Sequence, residues 1–445
     1  MSTYLRVLRH PNFRYLFAGQ AASMTGDHVV VVALALYITQ RTGSPTDLGI
    51  VLGVQGTALV TLLLFGGVWA DRLPRHRIMI ATDSARAILH ALLAVLIFAG
   101  SARIWEIAVI EGLFGAAMAF FQPAYSGLLP ETVPESEVQD ARALTETTSN
   151  VAFVLGPALA TALVLGVGAG EAFALDAATF VLSAFLLMRV NPRMRGEPEP
   201  AEPALQALRS GWREVRSRRW VLAVIAAFTV GVFCVYAPWY SLAPVIARND
   251  YGGAGVFGLL EAMVGVGAVC GGLTGLVWRP VRPLRAGLML MMAWPLLTGS
   301  LALRAPVAIV AVVAFATGVG FSLLMIWWET ALVRNIPPRA LSRVSSWDWM
   351  GSLALMPVGY LVAGPLASVF GLRLVLGVGS VLGLVALGIA LMQRATRELR
   401  DDSAEGERGH DGSPEHFPRD VGVEASGKAQ VAHVDSFVGV VDERR

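Results

Sequence analysis

Twelve apolar stretches run through this chain of 445 residues, each as long as the roughly 20 residues that a helical bilayer crossing requires. In hydrocarbon a backbone must satisfy its own polar groups, so each stretch is expected to be a helix. Charged residues make up only 15% of the chain, against about 25% in an ordinary soluble domain. That excludes a water-soluble globular protein. The expected fold class is all-α: a polytopic membrane protein with twelve transmembrane helices in two six-helix bundles. The first six spans are expected near Phe13–Thr39, Leu48–Ala70, Ile78–Ala99, Trp105–Tyr125, Val138–Leu165 and Ala172–Val190. The second six are expected near Trp220–Ala247, Val256–Trp278, Leu284–Leu303, Pro306–Val333, Val344–Phe370 and Leu374–Met392.

Arginine sets the orientation. With a cytoplasmic N-terminus, the inner loops hold 24 arginines and the outer loops five, so the positive-inside rule places both termini in the cytoplasm of a cell-membrane protein. The net charge of +2 reports this topology and gives no sign of a nucleic-acid partner. The basic start followed by an apolar run imitates a secretory signal, but the run is too long and lacks a small-residue cleavage site.

Residues 1–190 are expected to form the N-terminal bundle and 220–393 the C-terminal one. Between them, 191–219 begins with Glu197, Pro198, Glu199 and Pro200 and continues with Leu205, Leu208, Trp212 and Val215 at helical spacing. This reads as a cytoplasmic linker ending in an amphipathic helix on the membrane surface. Residues 394–445 have too little apolar content for a core and are expected to be a disordered cytoplasmic tail. Two landmarks recur about 200 residues apart, Val68-Trp69 with Val277-Trp278 and Arg142…Pro157 with Arg343…Pro357; two related halves are the parallel repeat of one transporter class.

The loop between the second and third spans reads Gly67-x-x-x-Asp71-Arg72-Leu73-Pro74-Arg75-His76-Arg77. It resembles the loop of the major facilitator superfamily, with Pro74 where the pattern has Gly. His10-Pro11-Asn12-Phe13-Arg14, Gly26-Asp27, Phe121-Gln122-Pro123-Ala124 and Leu128-Leu129-Pro130-Glu131 resemble the branch containing enterobactin exporters and macrolide efflux pumps. The resemblance covers about Arg9 to Gln393. It implies that Gly67, Asp71, Arg72, Arg75 and Arg77 form a conformational gating motif, with Asp71 capping the start of span eleven near Leu341–Val344 and stabilising the outward-facing state. Gly156-Pro157 resembles the core of the family's antiporter motif, although Ala160 and Thr161 replace the glycines that follow. Span four lacks the arginine that many proton-coupled members carry.

Ionisable groups inside apolar spans need a reason, since one at mid-membrane costs at least about 2.5–3.5 kcal/mol on insertion scales. Span one carries Asp27 and His28, span three His90, span four Glu111 and span eight Glu261. Gln20, Ser23 and Asp27 share one helical face, as do Glu111, Gly115, Met118 and Gln122. In the family's architecture both spans border a central cavity, where Asp27 or Glu111 would exchange a proton; Gln20, Gln122 and Glu261 complete the candidate proton-coupling or substrate-cavity set. Either acid serves equally as a structural hydrogen bonder, and Glu261, among glycines, equally as a packing group. His28 and His90 read as neutral interior histidines, and Glu329 and Asp348 as partners of Arg334 or Arg343. Tyr236, Trp239, Tyr240, Trp327 and Trp328 suit either a flat cationic ligand or the membrane interface. Pro123, Pro157, Pro238, Pro244, Pro295 and Pro357 are candidate bending points.

Gly422-x-x-x-x-Gly427-Lys428 imitates a phosphate loop, but Ala429 replaces the hydroxyl that holds Mg²⁺ and no apolar strand precedes it. No catalytic triad, metal-ligand spacing or cofactor motif is present, and Cys234 and Cys270 lie inside apolar blocks rather than in a disulfide framework. The expectation is a transporter rather than an enzyme, needing no cofactor or metal: a monomer exporting a small amphipathic molecule, drug- or siderophore-like, in exchange for protons. Import, lysophospholipid flipping, a non-transporting receptor and a membrane-embedded enzyme stay open.

Overall fold

The computed structural model describes residues 3–192, 204–397 and 399. A 3₁₀ turn at Thr3–Arg9 leads into α1 (Pro11–Thr42), α2 (Pro45–Arg72), α3 (Arg75–Phe98), α4 (Ile104–Thr132), α5 (Val138–Gly166) and α6 (Ala169–Leu187). Then come α7 (Ala204–Ser217), α8 (Arg219–Gly231), a π turn at Val232–Tyr236, α9 (Ala237–Asp250) and α10 (Gly255–Val277). The chain continues through α11 (Pro283–Met291), α12 (Ala293–Ala302), α13 (Val307–Asn335), α14 (Pro338–Leu353), α15 (Met356–Phe370), α16 (Leu372–Met392) and the short α17 (Arg394–Arg397). The pairs α8–α9, α11–α12 and α14–α15 each make one crossing, giving the twelve apolar spans expected. Large apolar side chains such as Ile88, Val95, Leu182, Val277, Val312 and Val381 stand exposed on these helices. With so few charges among them, they form a surface for lipid rather than water.

Proline explains the three interrupted crossings. It supplies no N–H and its ring clashes with the carbonyl four residues earlier. Four residues before Pro238, Pro295 and Pro357 stand Cys234, Met291 and Leu353, inside the π turn, at the end of α11 and at the end of α14. Pro123, Pro157 and Pro244 sit within uninterrupted helices.

The two sets of six pack alike. α2 lies on α4 as α10 lies on α13; α3 lies on α6 as α12 lies on α16; α1 lies on α5 as α9 lies on α15. Small residues permit the closest crossings: a Cβ on Gly115 would strike the carbonyl of Gln55, and one on Gly318 that of Val264. Across the halves α2 meets α15 and α5 meets α10. This seam lies at the arginine-poor end. There Gly364 abuts Thr46, Thr161 fills the space beside Gly258, and Arg248 of α9 donates to the carbonyl of Thr39 at the end of α1.

α7 forms within the linker but seats on α14 rather than resting only against a membrane. The Trp212 ring stands 5.0 Å from that of Trp347, and Val215 is buried in the core beside Trp220. Apolar partners on α14 and α8 thus cover part of that face. The side chains of Leu205 and Leu208, and most of the 394–445 tail, lie outside the described residues.

Candidate functional site

Among the described residues two constellations stand out inside the bundle, one per half. The first is built from one helical face of α3, where Asp83, Arg86 and His90 follow at steps of three and four. Arg86 pairs with Asp83, and its Nη1 lies 3.8 Å from Oδ2 of Asp27 on α1. Ser183 Oγ of α6 donates to Asp83 at 2.6 Å. His90 Nδ1 donates to Asp176 of α6, while its Nε2 faces Glu111 Oε1 of α4 at 3.6 Å, beyond hydrogen-bond length. Gln55 Nε2 of α2 donates to the other oxygen of Glu111 at 2.9 Å. A Cβ on Gly26 would strike Asp176, so its absence lets α1 approach α6 beside the acid.

Aromatic rings enclose this network. The Arg86 guanidinium lies 4.1 Å from the centre of the Phe121 ring and 4.3 Å from that of Phe180, and desolvated cation–π contacts are worth about 2 kcal/mol each. The His90 ring stacks on Phe114 at 4.1 Å. Asp83, Glu111 and Asp176 are fully buried, whereas the Asp27 side chain is 28% exposed. Gln20 Nε2, Asp27 Oδ1, Arg86 Nε, His90 Nε2 and Glu111 Oε1 are buried with no hydrogen-bond partner. The network therefore has spare donors and acceptors, which buried polar groups seldom keep without a role.

The second constellation is a cavity of about 480 Å³ in the C-terminal half, within the size range of small-molecule sites. It lies on the arginine-rich side of the seam, since Glu329, Leu332, Leu341 and Ser345 on its wall are within two turns of that end. At its deep end Glu261 accepts from Trp239 Nε1 at 2.5 Å and Tyr240 OH at 3.0 Å. Nearer the mouth Asp348 accepts from Trp328 Nε1 at 2.7 Å. Of the described lining residues only Phe153, on α5, comes from the N-terminal half. Its ring meets that of His28 edge to face at 5.7 Å, and His28 is the chain neighbour of Asp27.

The structure thus brings Asp27 and Glu111 into one network and puts Gln20 on the buried face of α1 beside Ser23. Glu261 lies apart from them, in the cavity. Gln122 is exposed on α4. Tyr236, Trp239, Tyr240 and Trp328 line the cavity, but Trp327 packs edge-on against Trp278 at 5.1 Å. Glu329 and Asp348 line it too. Gly156 seats α5 against His28, and Pro157 is buried beside it. In the loop motif Arg75 bonds Glu131 at 2.5 Å and the Gly127 carbonyl at 3.1 Å, tying α3 to the end of α4, while Arg72 and Arg77 are exposed. The burial of Gly67 and the side chains of Asp71, Ser342 and Arg343 lie outside the described residues, so the expected cap on span eleven does too.

Sequence reasoning missed Asp83, Arg86, Asp176 and Gln55. An available signal was the three- and four-residue spacing of Asp83, Arg86 and His90. Span four has no arginine, and the arginine of this network, Arg86, stands on span three.

Comparison with known proteins bears on what such an arrangement serves. The chain is 24% identical over 267 residues to macrolide efflux protein A of Streptococcus pyogenes, covering 59% of this chain and 65% of that one, just under two thirds. It is 26% identical over 288 residues to the enterobactin exporter EntS of Citrobacter koseri, covering 64% and 67%. Among solved structures, an inward-facing bacterial homologue of the lysosomal transporter Spinster matches with TM-score 0.67 at 15% identity, covering 89% of this chain and 98% of that one. An inward-facing bacterial homologue of ferroportin gives 0.66 at 16%, covering 88% and 100%. The sequence profile of the Major Facilitator Superfamily matches residues 16–353, and the chain belongs to that family of membrane transporters.

Proposed function

We propose that this protein is a secondary active exporter that exchanges protons for a small amphipathic organic molecule by alternating access. It acts as a monomer in the cytoplasmic membrane, with both termini in the cytoplasm. Residues 1–190 and 220–393 are the two bodies that rock about the cavity, joined by the linker 191–219, while the tail 394–445 stays outside both. On this orientation the arginine-rich end is cytoplasmic, so the closed seam is external and the cavity opens inward. Similarity to a macrolide efflux protein and an enterobactin exporter favours the export direction.

The observation that carries the proton reading is the imbalance of the buried network. Four carboxyl groups, Asp27, Asp83, Glu111 and Asp176, face one guanidinium and one imidazole. Uncompensated charge in such a site costs several kcal/mol per ion, so the network approaches neutrality only by binding protons. Asp27 is the exchanging group because it alone of the four is part-exposed. Arg86 lies against Asp83 and 3.8 Å from Asp27; with Asp27 protonated it turns wholly to Asp83, and with Asp27 ionised it is shared. Glu111, sealed behind the rings, accepts from Gln55 and faces His90, which Asp176 holds in place. Phe153 and His28 link Asp27 to the cavity wall. Asp71 stabilises the opposite, outward-facing state.

The test is flux in proteoliposomes with an imposed pH gradient, using a panel of amphipathic drugs. Asp27→Asn should abolish proton-driven flux while keeping substrate binding and substrate–substrate exchange. Gradient-dependent flux equal to that of the parent would refute the assignment.

A further inference from the structure

The charged side chains among the described lining residues of the cavity, Glu261, Glu329 and Asp348, are all of one sign, and from this we infer that its occupant is a lipophilic cation. The inference rests on the reading of the cavity as the substrate site and names the chemistry of that substrate. Glu261 sits at the deep end, and Glu329 and Asp348 stand nearer the mouth; among the described lining residues none is basic. Each oxygen of Glu261 accepts one hydrogen bond, from Trp239 and from Tyr240. A carboxylate oxygen has two acceptor sites, so both keep one for a ligand. The Trp239 indole and Tyr240 phenol hold that carboxyl and present π surface around it, the combination that attracts a desolvated cation.

The acids fall at two depths. Glu329 is six residues from the arginine-rich end of α13, and Glu261 six residues from the opposite end of α10. At 1.5 Å per residue each lies roughly 9 Å from its own end of the bundle, so about half of the bundle's height separates them. The outer pair, Glu329 and Asp348, draws a cation into the mouth; Glu261 receives it. A bulky anion meets carboxyls at both depths and, among the described lining residues, no counter-charge, which separates this site from one built for an acidic siderophore.

The experiment uses the purified full chain in lipid nanodiscs, with empty nanodiscs as the partitioning blank. The probes are tetraphenylphosphonium and tetraphenylborate, which share a shape and differ in sign. The phosphonium should bind at least about tenfold more tightly, as a charge-assisted, aromatic-walled site predicts. Glu261→Gln should remove most of that preference without weakening the borate. Should that variant misfold, Glu329→Gln and Asp348→Asn carry the test, each lowering phosphonium affinity by roughly threefold and reducing its salt dependence. Equal binding of the two ions, or a preference untouched by these substitutions in folded protein, would overturn the inference. A parallel flux assay separates the two readings. Transport of an anionic but not a cationic amphipath sinks the cation inference and leaves the exporter standing; saturable phosphonium binding with no flux of any probe does the reverse.

Discussion

The two halves share a helix arrangement and differ in what they put at its centre. In the N-terminal half the core polar groups are ionisable, paired and walled in by Phe114, Phe121 and Phe180, with Arg86 and Glu111 virtually inaccessible. The C-terminal half instead holds a hollow, lined by indole and phenol rings and three acids. A filled charged core resists deformation because every group depends on its neighbours, whereas a hollow one tolerates different occupants. On the proposed reading the repeat has divided the labour: protons are handled where the packing is tight, and the transported molecule where it is loose.

Substitutions can break or sharpen this contrast. The largest effect is expected for Arg86→Leu, which leaves Asp27 and Asp83 without their shared counter-charge. Breaking a buried pair costs about 3–5 kcal/mol, so the melting temperature in detergent should fall sharply and transport should disappear. Glu261→Gln, in the cavity of the other half, should change melting little; similar losses for both would erase the distinction. Next comes Gly364→Leu, which wedges a side chain against Thr46 where α15 meets α2. Overpacking there costs about 1–3 kcal/mol, enough to open the seam in a large share of molecules. Spin labels at Asp47 and Gly371, in a background lacking Cys234 and Cys270, should report a longer distance if the halves move as bodies. Asp71→Asn should reduce transport several-fold with normal membrane insertion; full transport by a well-expressed variant would remove its gating role. The smallest effect is expected for Glu111→Gln. The amide still accepts from Gln55, so stability should change by about 1 kcal/mol and flux by less than twofold, read by proton-driven uptake against the parent.

The fold was legible because the bilayer imposes one rule on every span: a long uncharged run must become a helix. Twelve such runs with alternating arginine content left little freedom, and all twelve crossings are present. The interior was legible only in part. Asp27, Glu111 and Glu261 stood out as charges amid apolar sequence, but Asp83 lies eight residues after Arg75 and Asp176 seven after Ala169. Close to a loop in sequence, such groups read as interfacial, yet eight residues of helix place a side chain roughly 12 Å deep. Which acids meet was a matter of tertiary packing: nothing local reveals that α6 carries Asp176 to His90, or that Gln55 crosses from α2 to Glu111. The aromatic residues show the same limit, since adjacent Trp327 and Trp328 point to different neighbours.

The wide turn at Val232–Tyr236 has a further consequence for this span. A ring closed one residue later than in an ordinary helix delays the winding by roughly a quarter-revolution, so the two segments it joins no longer share one helical wheel. Deleting a single residue there would realign them and swing Trp239 and Tyr240 away from Glu261, emptying the pocket's inner wall of its anchors while leaving the span's length and greasiness almost untouched. Hydropathy would register no change; the ligand would.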